Sequence, residues 1–186
     1  MADNDPHRVV KAKAIELLGA FGNPAYMPLF IKASADSSYT VAGNALEALA
    51  DLDSTAALAL AKKMMKAPTK GELSVAISQL LIKKGDENDF DVVTDNFEKM
   101  QLGQQKFQFV APYASMLKKV KSTERVKRGV DLLVQFKEAI PKAYREQTDA
   151  YFDTALKGIA TQKSAEGMKE QADYIHAKLE GGKKGF

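Results

Sequence analysis

YTVAGNALEALADLDSTAALALAKK, residues 39–63, is built almost wholly from small and aliphatic side chains. Val41, Ala45, Leu46, Leu49 and Leu52 recur three and four residues apart, which traces one apolar stripe along an α-helix. Asp53 and Ser54 interrupt that stripe with side chains suited to capping a helix N-terminus. Ala57, Leu58 and Ala61 then begin a second stripe. The spacing predicts helix, tight turn, helix.

The same unit stands immediately upstream. Residues 8–32, RVVKAKAIELLGAFGNPAYMPLFIK, lie over residues 39–63 without a gap when shifted by 31 positions. Identical residues fall at Val10/Val41, Ala14/Ala45, Glu16/Glu47, Leu18/Leu49, Ala25/Ala56, Leu29/Leu60 and Lys32/Lys63. The stripe is also matched at Ile15/Leu46 and Phe21/Leu52, and the turn Gly22-Asn23 at Asp53-Ser54. Matching turns make an internal repeat a better account than shared amphipathicity alone. A weaker third copy places Ala76, Ile77 and Leu80 another 31 residues on, with Thr69 and Glu72 at capping-box spacing. After Gly85 the period blurs.

Downstream, helical patterns continue. Phe90, Val93 and Phe97 mark one; Phe109, Tyr113, Met116 and Leu117 mark the next, with a kink expected at Pro112. Val126, Val130, Leu133 and Phe136 follow, then Tyr144, Tyr151 and Leu156, then Met168, Tyr174, Ile175 and Leu179. The prediction is an all-α fold, an α-α superhelix of about ten antiparallel helices whose units bury their apolar faces against one another. One domain is expected over residues 1–180, followed by a flexible tail at 181–186. The start at Met1 runs almost directly into a helix, which suits either a small complete protein or an excised domain.

Composition sets few limits on function. The chain has 186 residues, enough for a sizeable core, and 27 basic against 24 acidic residues. A net charge of +3 is too mild to imply nucleic acid or an acidic membrane by itself. There is no cysteine, so disulfides and thiolate zinc sites are excluded. No apolar run approaches the roughly 18 residues of a membrane span, and the polar N-terminus lacks the apolar centre of a signal peptide. No membrane partner is expected, and no compartment follows.

Candidate chemistry is sparse. His7 and His176 lie at opposite ends, without the His-Glu-x-x-His arrangement of zinc peptidases. No catalytic, cofactor-binding or metal-binding residue is assigned in this chain. Glu16 and Glu47 occupy equivalent repeat positions, so stacking brings two carboxylates near one another; a solvated face with Glu16 meeting Lys13 is the plainer reading. Tyr144 and Tyr151, seven residues apart, read as core with hydroxyls at the rim. The densest basic segment is KKVKSTERVKRG, residues 118–129, with Lys118, Lys119, Lys121, Arg125, Lys127 and Arg128 against Glu124 alone. It is the one candidate surface for a ligand or partner, a phosphate or a carboxylate being the natural match. No aromatic residues are interleaved with these charges, so a base-stacking platform is not expected.

The stretches VVKAKAIELLGAFGN and DSSYTVAGNALEALADLD resemble HEAT-like repeats. More narrowly, Asp36, Ser38, Tyr39, Val41, Ala45, Leu46 and Leu49 resemble a segment in the C-terminal helical domain of M1-family zinc aminopeptidases. That resemblance covers residues 8–66 best. It implies a HEAT-like solenoid whose parent enzyme carries zinc in a separate catalytic domain, the helical part walling the active-site cavity and restricting access to peptide N-termini. Its partners would then be that catalytic domain and peptide substrates. Two further readings stay open: a free-standing HEAT-like protein–protein adaptor, and a nucleic-acid binder using the basic segment.

Overall fold

Helices account for every regular element in the computed structural model, which describes residues 6–67 and 69–181. Ten α-helices and no strand occur among the described residues, in agreement with the all-α prediction. The His7 side chain and the tail beyond Gly181 lie outside the described residues. The chain divides into two compact units, Met1–Asp86 and Glu87–Phe186. The boundary falls beside Gly85, where the sequence period blurs.

In the first unit, α1 (Pro6–Ala20), α3 (Tyr39–Leu52) and α5 (Gly71–Lys84) stack side by side with α3 in the middle. The second helix of each pair, α2 (Met27–Ala33) or α4 (Ser54–Met64), returns along the stack. The turns work as their residues require. Asn23 accepts from the Ala25 amide at 3.0 Å, and Asp53 accepts from the Thr55 and Ala56 amides at 3.0 and 2.9 Å, so each opens the helical segment that follows. Asp36 accepts from the Ser38 amide at 2.8 Å just before α3, and Lys11 of α1 ion-pairs with the same carboxylate.

The sandwiched helix carries the unit's core. Val41, Ala42, Ala45, Leu46 and Leu49 of α3 are fully buried. Each large aliphatic side chain so placed contributes roughly 1.5–3 kcal/mol. Close approach depends on missing side chains. A Cβ added at Gly43 would sit 2.6 Å from the carbonyl carbon of Glu72, and one at Gly19 would sit 2.7 Å from the Ala48 Cβ. Both pairs are 29 residues apart, so the α1–α3 and α3–α5 contacts use the same geometry. The α1–α3 contact is also tied by Asn44, whose amide donates to the Ala12 carbonyl at 3.1 Å.

Three details differ from the sequence reading. α5 begins at Gly71 with Lys70 at its cap position, one residue later than the Thr69–Glu72 spacing predicts, and Thr69 Oγ1 instead accepts from the Ser74 hydroxyl at 3.0 Å. Tyr144 is 60% exposed and so is not core. Val10, aligned with buried Val41, and Phe21, aligned with half-buried Leu52, stand 67% and 78% exposed, because among the described residues α1 packs against α3 on one side only.

The second unit comprises α6 (Phe90–Lys99), α7 (Gln104–Lys119), α8 (Thr123–Ala139), α9 (Lys142–Ala165) and α10 (Lys169–Gly181). α7 runs through Pro112 as one continuous helix. An aromatic cluster fills the centre. Phe97 lies 4.7 Å from Tyr113 and 6.0 Å from Phe136, and Phe136 lies 5.2 Å from Phe152, mostly edge to face. Tyr151, expected in the core, is half-buried and stacks on Phe107 at 4.8 Å.

Gly43→Ala tests the close approach. Alanine's helix propensity returns about 1 kcal/mol, but backbone of α5 must shift to admit the methyl group. The expected net loss is about 1–2 kcal/mol in urea unfolding. A variant as stable as the parent would show that the α3–α5 spacing is not set by this glycine.

Candidate functional site

The basic segment sits at the α7–α8 junction, and four of its six cations, Lys121, Arg125, Lys127 and Arg128, are already paired with carboxylates. Lys118 and Lys119 end α7, where positive charge favours the helix dipole. Ser122 caps α8 by accepting from the Arg125 amide at 3.4 Å, while its own amide donates to Glu87 at 2.7 Å. Arg125 then donates to Asp91 at 3.0 Å and to the Glu87 carbonyl at 3.0 Å. Arg128, one turn further, meets Asp91 at 3.3 Å, Asp95 at 2.6 Å and Glu98 at 3.6 Å. Lys127 meets Glu170 at 2.8 Å, and Lys121 meets Glu166 at 2.6 Å. The acids come from α6, the start of α10 and the turn before it.

Protonation follows the pairing. Hydrogen bonds to Glu170 and Asp95 raise the pKa values of Lys127 and Arg128, and Lys121 lowers that of Glu166. A phosphate or carboxylate ligand would therefore have to displace protein carboxylates that the side chains already hold. Exposed pairs of this kind are worth little each, so their main effect is to cancel the local field.

Beside the segment, α6, α8 and α10 flank an open groove of about 480 Å³ lined by Glu98, Glu124, Arg128, Asp131 and Tyr174. Asp131 accepts from the Tyr174 hydroxyl at 2.7 Å and pairs with Lys178 at 2.6 Å. Lys127 and Lys178 both lie over the Tyr174 ring, at 5.5 and 5.2 Å. A second groove of about 760 Å³, between α8, α9 and α10, carries Lys137 paired with Asp153 at 2.6 Å. It also includes Asp149, one of whose carboxylate oxygens is buried without a hydrogen-bond partner. Both grooves mix signs of charge.

The other sequence candidates do not line these grooves. Glu16 meets Lys13 at 2.5 Å, as the plainer reading had it. Glu47 has a raised pKa, caused first by loss of water around the carboxyl and then by Glu72 and Asp51, with Glu16 a smaller contributor. His176 is exposed on α10. Among the described residues, no three His, Asp or Glu side chains are grouped to hold a metal ion.

Two cations escaped the sequence reading. Lys163 is wholly buried and donates to the Lys118 and Val120 carbonyls at the end of α7. Lys106, 7% exposed, donates to the Glu98 and Met100 carbonyls at the end of α6, both at 3.1 Å. Arg145 does the same for α8, reaching the Glu138 and Ile140 carbonyls at 2.6 and 3.0 Å. Three helix exits are thus closed by a cation from a later helix, each bonding carbonyls two residues apart. The signal was present: Lys106 precedes Phe109 and Tyr113 on one stripe, and Lys163 follows Leu156 and Ile159 on another. A lysine on a buried stripe must find oxygen partners.

Residues 1–81 match the family of HEAT repeats, and with the stacked hairpins of the first unit this defines a HEAT-like helical domain. No curated protein and no solved structure matches the chain.

Burial lowers the Lys163 pKa from the ordinary 10.5. Between that lowered value and 10.5 the unfolded chain binds more protons, so stability rises with pH across that window. Lys163→Met should cost about 1–3 kcal/mol at pH 7, since two carbonyls lose their donor. The parent should then gain further on the variant at pH 10, because the exposed lysines are common to both chains. Urea midpoints of the two proteins at both pH values decide it; a gap that narrows at pH 10 would contradict the assigned burial.

Proposed function

We propose that this chain is a non-catalytic helical-repeat module that binds protein or peptide partners. The observation that carries this reading is the edge of the HEAT-like unit. Val10, Leu17 and Phe21 are 67%, 52% and 78% exposed there, and Val9 and Ile31 of the same unit are 63% and 47% exposed. Large apolar side chains gathered in water on one unit fit an interaction surface. The mixed-sign grooves of the second unit supply polar contacts rather than a preformed anion site, which gives nucleic acid little to hold. Also, no helix is long and apolar enough to cross a membrane among the described residues.

A finer reading makes the module the helical domain of an M1-type zinc aminopeptidase, walling its active-site cavity. It draws on Asp36, Ser38, Tyr39, Val41, Ala45, Leu46 and Leu49. Each of these except Tyr39 serves the local structure. Asp36 orders the turn into α3 by accepting from the Ser38 amide, and the aliphatic residues fill the α3 core. The match is therefore one that any stacked repeat could produce, and the general reading is preferred.

Two measurements test these readings. Immobilised full-length chain should retain a defined protein that rebinds when purified, and Val10→Asp with Phe21→Asp should weaken that binding at least tenfold. Turnover of aminoacyl or peptide substrates by the chain alone would overturn the module reading. For the finer reading, a denaturing immunoblot of source cells should show a band several times heavier than 20.3 kDa; a band at that mass would remove it.

A further inference from the structure

The exposed side of α1 occupies, position for position, the side that later helices turn toward the preceding repeat. α3 turns Asn44 and Ala48 toward α1, where Asn44 bonds the Ala12 carbonyl and Ala48 meets Gly19. α5 turns Glu72 toward Gly43 of α3. Moved back by the 31-residue period, Asn44 becomes Lys13, Ala48 becomes Leu17, and Glu72 becomes Val41 and then Val10. Leu52, moved the same way, becomes Phe21. So Val10, Lys13, Leu17 and Phe21 occupy the backward-facing positions of their repeat. In α1 they meet water: Val10, Leu17 and Phe21 are 67%, 52% and 78% exposed, and the Lys13 side chain is 59% exposed.

We infer that this side of α1 is a docking face for another protein, rather than a second copy of this chain, that presents a helical hairpin of the same repeat type. The argument is continuity of an existing interface. The α1–α3 and α3–α5 contacts are one geometry used twice, and the face on α1 is where a third use would fall. The register also specifies the occupant's chemistry. Its contacting helix must show small residues and a carbonyl open to a second donor, as α1 shows Gly19 and the Ala12 carbonyl to α3. Leu17 is larger than Ala48, so the occupant's axis lies farther out than α1 lies from α3, within the 8–10 Å range of packed helices. The inference rests on the binding-module reading and names one surface of it.

Absence of cysteine gives a clean probe. Val10→Cys and, separately, Leu17→Cys each introduce a single thiol into the full chain. A second version of each replaces residues 1–7 with a copy of residues 8–38, which sets Ser38 ahead of Arg8, the repeat-equivalent of Tyr39, and supplies the hairpin without requiring it to fold alone. The expected result is at least a tenfold slower reaction of both thiols with a maleimide in the extended chains, with added helical circular dichroism. Thiols that react equally fast in both versions overturn the docking face, whether the added hairpin stays unfolded or folds elsewhere. Protection that appears without the copy and grows with protein concentration overturns it as well, by identifying a second copy of this chain as the occupant. Neither result touches the module reading, which falls only to substrate turnover or to failure of partner capture.

Discussion

Two helices can share a core only as closely as their thickest contact allows. In the first unit that contact has been thinned to backbone at Gly43, against the Glu72 peptide, and nearly so at Gly19, against Ala48. Everything else there follows. Close axes let modest side chains such as Val41, Ala45 and Leu46 exclude water completely. A fixed spacing repeated every 31 residues makes the helices a stack, with an order and a direction. The stretch at residues 39–63, so poor in chemistry, is the middle layer of that stack.

The second unit is held by a different device. Its helices end against cations lent by later helices: α6 on Lys106, α7 on Lys163, α8 on Arg145. A helix end carries carbonyls with no internal partner, and burying them unpaired is costly. A lysine threaded through the core resolves both its own charge and those carbonyls, provided that the lysine stem packs like an apolar chain. Lys106 does this between Phe97 and Phe136, whose ring faces lie 5.4 and 5.3 Å from its ammonium.

Local information made most of the fold legible. Stripe spacing at Val41, Leu46 and Leu49 identified α3, and Asp53 marked the turn because its capping chemistry acts within three residues. Long-range information was harder to see. Val10 and Phe21 fit the stripe as well as buried Val41 and half-buried Leu52 do, yet exposure depends on whether a neighbour exists, which no local pattern encodes. The basic segment shows the same limit. Lys118 to Arg128 look like a cluster in sequence because their acids, Asp91, Asp95, Glu166 and Glu170, come from elsewhere in the chain. Thr69 misled for a smaller reason, a competing hydroxyl at Ser74.

Placing cations inside the fold alters how the molecule meets others in solution. Lys106 and Lys163 are internal, as is Asp89, so the small formal charge of +3 shrinks further at the surface. Much of what remains is cancelled at short range by pairs such as Arg128 with Asp95. Little field is left to steer an approaching molecule. Encounter should then proceed at the pace of unguided diffusion and vary little with ionic strength, and selectivity would reside in how long a correct complex lasts once formed.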